Sequence, residues 1–107
     1  MKGTEKQITW ANEILANINA VLDDFLILAN ADPRATAAEK AAGAARVDAI
    51  RTAVNGAEYA GDIIALFRDV KRTNDPMQGV QMLWTAFRVK APETEAQRQI
   101  LDVFRRR

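Results

Sequence analysis

The sequence predicts an all-α fold, a compact bundle of about five helices forming one domain over residues 1–107. Three observations predict it. Five segments open on a Thr, Asn or Asp followed three residues later by Glu or Gln, the pattern that caps a helix N-terminus. Pro and Gly punctuate the chain between those segments. Within each segment the apolar residues recur at spacings of three and four, and no run of alternating β-branched residues suggests a strand.

The first helix is expected over 5–31. Thr4 can accept a backbone N–H from the third helical position while Gln7 reaches back, and Asp32-Pro33 ends the segment because proline disfavours helix in the residue before it. Ile8, Ala11, Leu15, Ile18, Leu22, Phe25 and Ala29 form its seam, widened by Ile14, Val21 and Leu28 into a stripe broad enough for more than one partner helix. Phe25-Leu26-Ile27-Leu28 is apolar all round, so that turn must be covered by other helices or by another subunit. A second helix over 37–54 starts at Thr36 with Glu39 and ends at Asn55-Gly56; its small residues permit close approach, with Val47, Ile50 and Val54 as the larger contacts. A third, over 57–72, starts from Asn55 with Glu58 and presents Ala60, Ile63, Ile64, Phe67 and Val70. Asp75-Pro76 opens a fourth over 76–90, with proline at the favoured first position and Val80, Leu83, Trp84 and Phe87 inward. Thr94 with Gln97 opens a fifth over 95–105, carrying Ala96, Ile100, Val103 and Phe104.

Composition narrows the chemistry. Lys plus Arg number 15 and Asp plus Glu 14, so bulk charge demands neither nucleic acid nor an anionic membrane. The chain contains no His, Cys or Ser, which removes the usual general base, the thiol and serine nucleophiles, and the commonest ligands for zinc, copper and haem. The expectation is a non-enzyme with no catalytic residue, no metal site and no cofactor. No apolar run is read as spanning a bilayer and the polar opening is not read as a signal peptide, so a cytoplasmic location is expected.

Several residue groups could still carry function. Glu58 and Asp62, four apart, would share a helix face, with Asp69 two turns on; they could hold Mg²⁺, but no matching pair on a second helix is evident, and a solvated acidic face is the plainer reading. Asp23 and Asp24 lie about 100° apart around their helix and cannot converge on one ion unaided. Trp84 falls on an apolar stripe and reads as core. Trp10 falls off the main seam and either packs against the fifth helix or stands exposed as an interface contact. Asn12 and Asn19, seven apart, either set register in a self-associating helix or bound its polar face. Arg88, Lys90, Arg98 and the run Arg105-Arg106-Arg107 make a basic C-terminal segment that could track phosphates, although Glu93, Glu95 and Asp102 dilute it, or that could complement a helix C-terminus.

The string Gly3-Thr4-Glu5-Lys6-Gln7-Ile8-Thr9-Trp10-Ala11 resembles the opening of small bacterial and phage proteins that begin Gly-Ser-Glu-Lys-Gln-Ile-Ala-Trp-Ala-Glu. Thr4, Thr9 and Asn12 depart from that pattern. The resemblance implies a phage or mobile-element setting and brings no activity or functional residue with it. The residues point first to a protein–protein interaction module that binds a protein partner through Trp10, Phe25, Leu26, Ile27 and Leu28. In the implied setting this would be a stoichiometric inhibitor of host defence, of the anti-CRISPR kind. A homodimer through the first helix is expected. The alternative is a nucleic-acid-binding accessory protein using Arg98, Arg105, Arg106 and Arg107.

Overall fold

A computed structural model describes residues 1–105 and, among them, five helices: α1 (Glu5–Ala31), α2 (Ala37–Asn55), α3 (Ala60–Phe67), α4 (Pro76–Val89) and α5 (Glu95–Arg105). The all-α bundle read from the sequence is the architecture observed. Two capping boxes form reciprocally. Thr4 Oγ1 accepts from Gln7 N at 3.1 Å while Thr4 N donates to Gln7 Oε1 at 3.0 Å, and Thr36 and Glu39 repeat the exchange at 3.1 and 3.2 Å. At α4, Asp75 accepts from Met77 N, and Pro76 occupies the first turn, where its missing N–H costs nothing.

α1 packs against α2, α3 and α4, and α5 packs against the same three helices. Numbering along the contacts gives the directions. Asn19 and Asp23 meet Arg51 while Phe25 lies beside Gly43, so α2 runs antiparallel to α1. Gly79 lies beside Val21 and Trp84 stacks on Phe25, so α4 runs parallel to it. Ile14, Ile18, Val21 and Leu22 of α1, Val47 and Ile50 of α2, Ile63 and Phe67 of α3, Leu83 and Phe87 of α4, and Leu101 of α5 form one buried core. Each fully buried side chain of this size contributes about 1.5–3 kcal/mol. An aromatic ladder threads it: Phe25–Trp84, Trp84–Phe104, Phe104–Phe87 and Phe87–Phe67, with ring centroids 5.1 to 5.2 Å apart and tilted planes.

The third helix departs most from expectation, spanning Ala60–Phe67 rather than 57–72. Its expected start is diverted because the chain's opening residues pair there: Lys2 N donates to the Glu58 carbonyl at 2.6 Å and Ala60 N to the Lys2 carbonyl at 2.8 Å, holding Tyr59 extended. Asn55 closes α2 instead of opening α3, and its side chain bonds Asn19. At the other end Val70 turns back on Phe67 and is buried outside the helix. Arg72 reaches Asp24 with two hydrogen bonds of 3.1 Å. This stretch crosses α4 at Gly79, where an added Cβ would lie 3.0 Å from Val21 Cγ2 and 3.3 Å from the Lys71 carbonyl oxygen, so only glycine admits the crossing without displacement.

α1 is, by length and composition, apolar enough to cross a membrane, contrary to the sequence expectation. In this structure it is the central helix, with its seam covered by α2, α3 and α4.

Candidate functional site

The residues expected to bind a partner divide. Phe25 is partly buried, its ring seated against Gly43 and stacked on Trp84 at 5.2 Å. Leu26 also packs against the core. Ile27 and Leu28 do not: they are 66% and 36% exposed. The all-apolar turn is thus covered on two of its four sides, and its uncovered edge is a pair of adjacent aliphatic side chains. Trp10 is 46% exposed and lines a shallow surface hollow with Glu5, Lys6, Thr9 and Glu13. It stands 17 residues before Ile27 on one helix, roughly 25 Å away, so the structure does not gather Trp10 and the α1 terminal turn into one patch.

The basic residues also divide. Arg98 is engaged by carboxylates on its own helix, Glu95 and, at 3.0 Å, Asp102. The Arg98 guanidinium beside Glu95 holds that carboxyl below its ordinary range, and Glu95 in turn raises Arg98. Arg105 faces the C-terminal end of α4: Nε donates to the Phe87 carbonyl at 2.9 Å and Nη2 to the Lys90 carbonyl at 2.7 Å. It satisfies carbonyls that a helix end leaves open, without a carboxylate partner among the described residues. Arg106 and Arg107 lie outside the described residues.

The carboxylates form no site of the kind their spacing suggested. Glu58 precedes α3 and pairs with Lys2 at 3.0 Å, so it shares no helix face with Asp62. Asp62 is buried and accepts on Oδ1 from Gln97 Nε2 at 3.0 Å and Thr94 Oγ1 at 3.3 Å. Asp69 pairs with Lys90 at 3.7 Å. Asp23 pairs with Arg51, which also donates to Asn19 Oδ1 at 3.0 Å. Asn19 is therefore occupied within the chain and is not available to set register between two copies, whereas Asn12 is exposed.

Two arrangements went unread in the sequence. Between α2 and α5 lies a groove of about 740 Å³ lined by Ala49, Ala53, Ala96, Ile100 and Val103, with Asp62 at its wall. At the α2–α4–α5 junction, Arg46, Arg88 and Arg105 converge around Phe104. The sequence groups Arg88 and Arg105 in its basic C-terminal segment, but no local signal adds Arg46, which joins them from α2 only through packing. Gln97 did have a signal: it lies three residues before Ile100 and four before Leu101, the helical spacing of one face, and all three are buried.

No protein-family model, curated protein or solved structure matches the chain.

Proposed function

We propose that this protein is a non-catalytic interaction module whose docking face centres on the last turns of α1. The carrying observation is the adjacent exposure of Ile27 and Leu28 on a helix whose other large apolar side chains, Trp10 apart, are packed. A chain without His, Cys or Ser lacks the groups that most enzymes use as base or nucleophile, which supports binding over chemistry. The resemblance at Gly3–Ala11 supports a phage or mobile-element setting, with the module acting as a stoichiometric inhibitor of a host-defence protein, of the anti-CRISPR kind. The cytoplasm is the compartment proposed, where a domain held by packing alone needs no disulfide. The homodimer expected through α1 would use the same face.

The test is affinity capture from a host lysate, with and without nuclease, comparing the native chain with Ile27→Asp/Leu28→Asp. A protein partner that survives nuclease and is lost with the double variant supports the reading. The reading is refuted if no nuclease-resistant protein partner is lost with the double variant. Light scattering reads the homodimer on the same pair of proteins: a native chain that remains monomeric at high concentration removes that form.

A further inference from the structure

Among the described residues Lys2, Arg34, Arg51, Arg72, Lys90 and Arg98 are ion-paired, whereas Lys6, Lys40, Arg68 and Lys71 are not. At the junction of α2, α4 and α5 three further cations without an ion pair come together. Arg46, Arg88 and Arg105 line a pocket of about 510 Å³ beside Phe104, and among the described residues no carboxylate lines it and none of the three has an ion pair.

These guanidinium groups are nevertheless held. Arg46 lies over the Phe104 ring, 5.0 Å from its centroid. Arg105 is fixed by the Phe87 and Lys90 carbonyls. Arg88 donates to Thr85 Oγ1 at 3.4 Å. A ring, two carbonyls and a hydroxyl orient the forks without cancelling their charge. The C-terminal end of α4 offsets only about half a unit charge. Three like charges lining one pocket draw an anion toward it, and their remaining N–H groups are the donors it would use.

We propose that Arg46, Arg88 and Arg105 form a phosphate-binding site, distinct from the α1 face. Phosphate fits better than carboxylate because a phosphoryl group offers more oxygens and more charge than a carboxylate, matching forks that arrive from three helices. Arg98 takes no part, since Glu95 and Asp102 already hold it. The phosphate belongs either to a nucleic-acid backbone or to a free di- or triphosphate.

Two probes separate those sources: a labelled oligodeoxythymidylate followed by anisotropy, and pyrophosphate followed by calorimetry, each between about 50 and 200 mM salt. Arg46→Gln/Arg88→Gln is expected to weaken the bound probe at least about tenfold and to flatten the log–log salt slope by roughly one unit per lost contact. Lys6→Gln/Arg34→Gln removes the same charge elsewhere and should leave binding unchanged. Arg46→Lys/Arg88→Lys keeps the charge, so it should keep the salt slope while losing part of the affinity, and it carries the test if thermal melting shows the Gln pair to be misfolded. Binding of the oligonucleotide assigns the backbone source, and binding of pyrophosphate alone assigns the free one. The proposal is overturned if the native chain binds neither probe, if the Gln pair binds as the native chain does, if the Lys6/Arg34 control loses as much, or if only polyglutamate binds.

Discussion

Gln97→Met tests the buried polar strut between α3 and α5. Gln97 is 4% exposed and donates to the equally buried Asp62 carboxylate at 3.0 Å, while its Oε1 accepts from Glu93 N at 2.9 Å. Methionine keeps the length of the side chain and removes both functions. Water can replace the bond to Glu93, whose residue is exposed. It replaces the bond to Asp62 poorly, and a hydrogen bond to a charged group contributes about 1.5–3 kcal/mol. Thr94 remains on Asp62 at 3.3 Å, so the expected loss is about 2 kcal/mol, or a Tm drop of roughly 10 °C for a domain of this length. Asp62→Leu alone should also destabilise, because it strands the Gln97 amide in the core. With both changes no buried polar group is stranded, and replacing both partners by apolar groups is close to neutral. Asp62→Leu/Gln97→Met should therefore be more stable than Gln97→Met alone. Urea denaturation followed by circular dichroism reads this as a midpoint shift at constant m-value. A single variant within about 0.5 kcal/mol of the native chain, or a double variant whose loss is the sum of the singles, would refute the reasoning.

Gly79→Ala sets two effects against each other: alanine gains about 1 kcal/mol of helix propensity, whereas overpacking against Val21 and the Lys71 backbone costs about 1–3 kcal/mol. The carbonyl at 3.3 Å cannot rotate away as a side-chain tip could, so thermal melting should show net destabilisation; a stabilised variant would mean that the α1–α4 crossing is looser than described. Acid should weaken the fold in a defined way. Asp32 is held below its ordinary range, first by the backbone N–H of Arg34 and then by its side chain, and Glu95 is lowered by Arg98. Carboxyls with a depressed folded pKa contribute stability above their unfolded value, and lose it as the pH falls through the folded value, so the loss belongs below about pH 4. Asp32→Asn/Glu95→Gln should flatten the stability profile in that acid range, and an unchanged profile would show that neither contact counts.

The helix starts at Thr4, Thr36, Asp75 and Thr94 were legible because the capping residues act on neighbours within four positions. The start assigned to Asn55 failed for the opposite reason: Lys2, far off in sequence, pairs with the backbone around Tyr59 and holds it extended. Spacing also foretold that Phe25–Leu28 would need cover, but which two side chains turn inward depends on where α2 and α4 lie, and helical periodicity does not contain that. The same limit explains the arginines. Arg98 and its partners Glu95 and Asp102 are spaced three and four apart, so their pairing could have been read from the sequence. Arg46 and Arg88 meet Arg105 only because α5 lies across α2 and α4.

The exposed pair on α1 is too small to be a whole interface. Burying one large aliphatic side chain completely contributes about 1.5–3 kcal/mol, and Ile27 and Leu28 already have part of their surface covered. Together they could supply roughly 3 kcal/mol, whereas micromolar binding requires about 8 kcal/mol after the cost of association. A partner docked as proposed would have to reach beyond them, toward the 800 Å² or so per side that stable complexes bury. The contact of Phe25 with Gly43 sets the N-terminal half of α2 beside this turn, and there Ala41, Ala42, Ala44 and Ala45 are exposed. Short side chains let a partner backbone come close without displacing anything, while Ile27 and Leu28 provide the anchors. An interface on this protein is most economically built across the α1–α2 edge, and not along α1 toward Trp10, where some 25 Å of helix separates the two exposed ends.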